Sequence, residues 1–198
     1  MSPLAHLFGS WLIASVTTDN PRDRKLVTLA GILPDADGLG LIVDAANAAL
    51  SGQEISFQYY QHYHHYLLHG WPGAIAVATL LAGFANQKGR VLLACLLTFH
   101  LHLLCDLIGS RGPSPEDLWP IAYGEPISRH PIWFWKGQWR LDGWQNRWVL
   151  LLLFVGSLWL AAKRGYSVLE LAGRRWDSVF VGVLQKWQRQ LARKPPTS

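Results

Sequence analysis

His102 and Asp106 lie four residues apart in a strongly apolar run, so any helix that holds them presents both on one face. A histidine and a carboxylate at that spacing bind one divalent metal, or the Asp orients the His as an outer partner. An ionisable side chain inside an apolar segment is costly and marks a functional site by default. His100 is two residues from His102 and points about 200° away around a helix, which suits a helix–helix contact better than a ligand role. A second group of histidines stands in "HYHHYLLHG", from His62 to Gly70, which holds four of the chain's eight. If that stretch is helical throughout, His62, His65 and His69 share a face and periodicity favours His65 with His69, whereas His64 and His69 share a site only if a helix begins between those two. A third group is the "LPDADG" that starts at Leu33. Asp35 and Asp37 are two apart and cannot share a helix face, but a turn can aim both at one cation. A helix N-cap is the ordinary use of such a turn.

Carboxylates beside histidines make a mixed nitrogen and oxygen donor set. That set suits a divalent metal, zinc first and manganese or iron after it. No Gly-rich phosphate loop, no G-x-S-x-G elbow and no Cys/His nucleophile arrangement is present. Metal-assisted chemistry remains: a metal with an open position would lower the pKa of a bound water and supply hydroxide, and a second metal or a nearby acid would serve the leaving group. The candidate catalytic residues are Asp35, Asp37, His102 and Asp106. His6, in a short apolar N-terminal run, reads as structural when taken alone.

These residues need elements to hold them. Half of the residues are hydrophobic and only 16% are charged, well under the roughly 25% of a soluble domain. Five apolar stretches stand out: Leu4–Val16, Leu26–Leu50 (broken by "LPDADGLG"), Leu67–Ala85, Val91–Gly109 and Trp148–Ala162. The fourth has the length of a bilayer span. The expected fold is all-α, a polytopic membrane bundle of about four to five apolar helices. A Trp-rich insert, Ser110–Arg147, interrupts it and serves as a lid over the site or as an interfacial aromatic belt. Within the insert, "WFWKGQWRLDGW" suits a hairpin across Lys136-Gly137.

Residues 163–198 carry eight Lys/Arg against two acids. From Arg174 to Lys194, Trp176, Phe180, Val183, Trp187 and Leu191 recur at helical spacing, with Arg175, Lys186, Arg189 and Arg193 mainly elsewhere on the wheel. This is a basic amphipathic helix suited to a membrane surface or to packing on the bundle. The chain divides on this basis into an embedded part, 1–162, and a basic cytoplasmic tail, 163–198. The expected partners are membrane lipid and a small-molecule or lipid substrate; no recognition motif accompanies the charge, so nucleic acid is not expected. Lys88, Arg90, Lys163 and Arg164 mark the cytoplasmic side by the positive-inside rule. His6, the 62–69 cluster, His102 and Asp106 then gather on the non-cytoplasmic side, and Asp35 and Asp37 sit below them.

In order, these motifs are an N-terminal His, Leu-Pro-Asp-x-Asp, a His pair five apart, His-x-x-x-Asp and a Trp-Pro. Together they resemble the membrane-bound metal-dependent hydrolases of the bacterial inner membrane. Some members of that family are called LexA-binding, inner-membrane-associated hydrolases. The likeness runs from about His6 to Asn146. It implies an α-helical membrane hydrolase whose metal ligands match His6, Asp35, Asp37, His64, His69, His102 and Asp106 here. The family's His-Arg-Gly-x-Thr-His falls on His64 to His69, and so selects His64 where periodicity selects His65. His65, Tyr66 and Leu68 stand where the family has Arg, Gly and Thr, which removes outer-shell or substrate contacts. The Trp-Pro matches Trp119-Pro120. Trp119, His65 and Arg111 are the candidate substrate contacts. A fainter similarity to zinc-dependent phospholipases C favours phosphoester substrates. Other readings are a haem protein with His69 and His102 as axial ligands, an ion-coupled carrier, and an inactive adaptor working through its basic tail.

Overall fold

The computed structural model describes residues 1–64 and 66–192. Eight helices and one short strand pair are found among them. Helix α1 (Pro3–Thr17) starts on Ser2, whose hydroxyl accepts from the Ala5 amide, with Pro3 in the first turn. Helix α2 (Pro21–Ala30) repeats the device: Asn20 Oδ1 accepts from the Arg22 and Asp23 amides, and Pro21 follows. Pro34 cannot extend α2, and residues Leu33–Leu39 form a 3₁₀ helix before α3 (Gly40–Ser51). A short α4 (Gln58–Tyr63) leads to α5 (Trp71–Gly83) and the long α6 (Lys88–Gly109). After the insert come α7 (Trp144–Arg164), a 3₁₀ turn at Val168–Leu171, and α8 (Arg174–Ala192).

Helices α1, α2, α5 and α6 form the core. Trp11, Val27, Ala74, Ala78 and Phe99 are all fully buried in it. Small residues bring the backbones close. A Cβ on Gly31 would lie 1.8 Å from Ser10 Oγ and 2.7 Å from Ser10 Cβ, so only glycine fits between α1 and the end of α2. Asp23 of α2 caps α6 from outside, accepting from the Asn86 and Gln87 amides at 2.8 and 3.0 Å. The chain alternates in direction, so the molecule has two unlike ends. Met1, Gly31, Asp106 and Asn146 meet at one end, and Asp19, Arg24, Arg164 and Glu170 at the other.

Helices α6 and α7 are long and apolar enough to cross a membrane. The bent pair of α2 with residues 33–51, angled by 50°, would make a third, and α1 and α5 are shorter apolar helices. The structure therefore supplies two or three candidate spans, and its two long ones hold the fourth and fifth apolar stretches; the expected count of about four to five apolar helices is not matched by helices of spanning length. Length is the reason: α1 and α5 have 15 and 13 residues, under the roughly 20 that a 30 Å hydrocarbon layer needs.

The insert differs from the all-α expectation. Strand β1 (Ile121–Ala122) pairs antiparallel with β2 (Ile132–Trp133). Lys136-Gly137 forms a turn, closed by Gln138 N–H to Trp135 O at 3.2 Å, but no hairpin grows from it. The backbone beyond the turn is used elsewhere: Trp139 N–H donates to Ile108 O at 2.7 Å and Leu141 N–H to Arg111 O at 2.9 Å. These bonds tie the insert to the end of α6.

Candidate metal centre

Helix α6 supplies the first two groups. His102 Nε2 lies 3.0 Å from Asp106 Oδ2, as the four-residue spacing requires. His102 Nδ1 lies 2.9 Å from Gly31 O. A carbonyl only accepts, so Nδ1 carries the proton and Nε2 presents its lone pair to the cluster. Helix α1 adds His6, whose Nε2 is 3.2 Å from Asp106 Oδ1 and whose ring stacks on His102 with centroids 3.8 Å apart. The Met1 amino group also donates to Asp106 Oδ1 and to Ser110 Oγ.

The 3₁₀ helix turns its two carboxylates in different directions. Asp35 Oδ1 lies 3.6 Å from His102 Nε2. Asp35 Oδ2 is buried without a hydrogen-bond partner among the described residues, an arrangement that a cation or a proton donor would satisfy. Asp37 faces the other way. Its Oδ1 is 3.0 Å from His64 Nδ1, and its Oδ2 is 2.9 Å from His69 Nδ1 and takes the Leu68 amide at 3.2 Å. His69 links the halves, because its Nε2 lies 3.4 Å from His102 Nε2 and 3.6 Å from Asp106 Oδ2.

Two ligand groups result, each with donor atoms within 4.8 Å of one another: His6, Asp35, His102 and Asp106, and Asp37, His64 and His69. The donor chemistry fits a divalent metal of the zinc, manganese or iron class. The same geometry disfavours a haem, since His69 Nε2 and His102 Nε2 are only 3.4 Å apart and both lie beside the Asp106 carboxylate.

Helical periodicity does not carry from α4 to His64 or His69. Helix α4 stops at Tyr63, and His64 and His69 come from the irregular segment before α5. His64 and His69 are brought together through Asp37. His65 lies outside the described residues. His62 is exposed and packs edge-on against Tyr63. His100 points away from the cluster, to Tyr123 Oη and Leu96 O, each at 2.7 Å.

A cavity of about 890 Å³ opens over the cluster. Asp35, His64 and Asp106 form its polar end, and Leu39, Ile42 and Trp119 part of its apolar wall. Trp119 therefore borders the site, with its ring 5.4 Å from that of His64. Arg111 lines a separate cavity with Trp139 and Trp144 instead. The lining of the cavity over the cluster contains no lysine or arginine among the described residues.

Several supporting residues escape a motif search. Asp44 is buried in α3 and accepts from the Tyr59 and Tyr60 amides at 3.0 and 2.8 Å, which holds α4 and hence His64 in place. The signal that finds Asp106, a charge in an apolar run, also finds Asp44. Gln138 brackets Trp119, accepting from its amide at 2.9 Å and donating to its carbonyl at 2.7 Å. Ser110 donates to Asp106 Oδ1 at 3.1 Å.

Burial alone would lower the His69 pKa, but hydrogen bonds to Asp106 and Asp37, and their charges, outweigh it and raise it to about 9. A cation reaching Nε2 therefore competes with a proton. The apparent metal affinity should weaken by about tenfold for each pH unit below that value. Zinc titrations at pH 6.5, 7.5 and 8.5 check this, and a flat profile would exclude His69 as a ligand.

A family model described as YdjM inner membrane protein matches residues 1–171, which include every residue of the cluster. No curated protein and no solved structure matches the chain.

Proposed function

The chain belongs to the YdjM inner membrane protein family, and from that premise we propose that it is a multi-pass, metal-dependent hydrolase acting on an ester or phosphoester of a lipid or other amphiphile. The observation that carries this reading is the cluster itself. Three imidazole Nε2 atoms and the Asp106 carboxylate converge at the end of an apolar cavity, with an unpartnered Asp35 oxygen beside them.

His6, His69, His102 and Asp106 would hold the metal, most readily zinc. When bound, it would supply Lewis acidity and acidify a water at an open position. The protein's own groups do the rest. Gly31 O fixes the tautomer of His102, and Asp37 fixes that of His69. Asp37 lies off the cavity lining, enclosed by His64, His69 and the Leu68 amide, and serves as a positioning residue. Asp35 Oδ2 accepts the proton of the attacking water and returns it to the leaving oxygen. Leu39, Ile42 and Trp119 take the apolar part of the substrate, and Trp119 is kept at the cavity wall by Gln138. The basic residues lie mainly at the other end, so the site faces the non-cytoplasmic side.

Chelation provides the test. The purified protein should hydrolyse p-nitrophenyl esters or bis(p-nitrophenyl) phosphate, lose that activity when stripped of metal, and regain it with added zinc or manganese. A metal-loaded protein inert toward both substrate classes would sink the reading.

A further inference from the structure

A second cavity, of about 610 Å³, lies at the end of the molecule away from the His/Asp cluster. The start of α2, Tyr166 and the start of α8 enclose it. Its charges do not cancel. Glu170 spends both oxygens on Arg24, at 2.5 and 2.6 Å. Asp177 accepts from the Ser167 amide and hydroxyl at 2.7 and 2.6 Å, and Asp19 pairs with Arg164 at 3.2 Å. Three further cations line the same cavity, Arg22, Lys25 and Arg174, and none has a carboxylate partner among the described residues. Leu26 and Leu29 supply an apolar wall beside them.

Helix α8 begins at this cavity and is only half used by the fold. Asp177 and Val181 are buried against the bundle, and Gln185 Nε2 donates to Ala162 O at 3.2 Å. On another face Trp176, Val179, Val183 and Trp187 form a stripe at helical spacing, with Trp176 and Trp187 exposed by 68% and 60%. A cationic cavity next to an uncovered apolar stripe matches both parts of a phospholipid: the anionic headgroup and the acyl region below it.

We propose that this cavity binds the headgroup of an anionic phospholipid through Arg22, Lys25 and Arg174, with α8 lying in the same leaflet. The site is independent of the hydrolytic cluster. A free phosphate would use the three cations but have no use for Leu26, Leu29 and the α8 stripe, so the bilayer lipid is the better match.

The experiment uses the full chain purified in a neutral detergent, with phosphatidylglycerol titrated in and thermal stability as the readout. Phosphatidylglycerol should stabilise the protein, and phosphatidylcholine and inorganic phosphate should not. In the R22Q/K25Q/R174Q variant the apparent affinity should fall on the order of 100-fold, and each single variant should lose about fivefold. These changes leave the Arg24–Glu170 pair intact, and the single variants carry the test if the triple variant fails to fold. K88Q/R90Q removes charge at the same end but outside the cavity, and should keep nearly full affinity. Three outcomes would overturn the proposal: unchanged affinity in the cavity variants, an equal loss in K88Q/R90Q, or an equal shift from inorganic phosphate.

Discussion

Asp35→Asn should leave the metal in place and lower kcat by about 10²–10⁴, the range for losing a positioned general base. The amide keeps the shape of the carboxylate but cannot take a proton at Oδ2, the buried oxygen that has no partner among the described residues. The other carboxylates of the cluster are engaged by its imidazoles. His6 and His102 lie on Asp106, at 3.2 and 3.0 Å, and Asp37 is occupied by His64 and His69. Two comparison variants make the result specific. His102→Ala removes a ligand and should lose metal and activity together. Asp37→Asn disturbs only the orientation of His69 and His64, and should weaken metal binding by about 10–100-fold, as outer-shell changes do. Metal per chain and saturation kinetics on the three variants separate the roles. If Asp35→Asn loses its metal as His102→Ala does, Asp35 is a ligand and the base lies elsewhere.

Arg24→Ala should lower the unfolding free energy by about 3–5 kcal/mol, because it strands a buried carboxylate. Arg24 and Glu170 side chains are 2% and 5% exposed, and two parallel N–H···O bonds join them. Arg24 also donates to Asp19 O at 3.1 Å and stacks 3.5 Å over the Tyr166 ring, and Trp11 Nε1 donates to Glu170 at 3.2 Å. The pair thus joins α1, α2 and the 3₁₀ turn after α7 at the end of the molecule far from the His/Asp cluster. Glu170→Ala should cost a similar amount by leaving a buried guanidinium. A double replacement by Met and Leu should cost less than either single change, since it removes the charges rather than isolating one. Denaturant unfolding in detergent measures all three. A loss below about 1 kcal/mol for Arg24→Ala would show the pair to be solvated in solution.

The sequence by itself determined what depends on neighbours along the chain. The spacing of His102 and Asp106 places both on one helical turn, so their pairing needed no fold. The opposite direction of His100 follows from the same geometry, and it does point away. The break at "LPDADG" is local too, because Pro34 cannot continue α2. The amphipathic pattern of α8 was equally readable.

Contacts between distant parts of the chain supply the rest. His64 and His69 meet Asp37 across 27 and 32 residues, through a segment that is not helical. Helix α4 has ended before His64, so helical periodicity could not have paired His64 with His69. Asp35 and Asp37 look equivalent in sequence, yet one borders the cavity and the other is enclosed by imidazoles. His6 reads as structural in its own helix and becomes part of the centre only when α1 packs on α6. The turn at Lys136-Gly137 was legible, but its lack of a hairpin was not, because the end of α6 takes the backbone donors that a second strand would need. Helix periodicity is a property of a few consecutive residues, whereas a metal centre is assembled by contacts between distant ones.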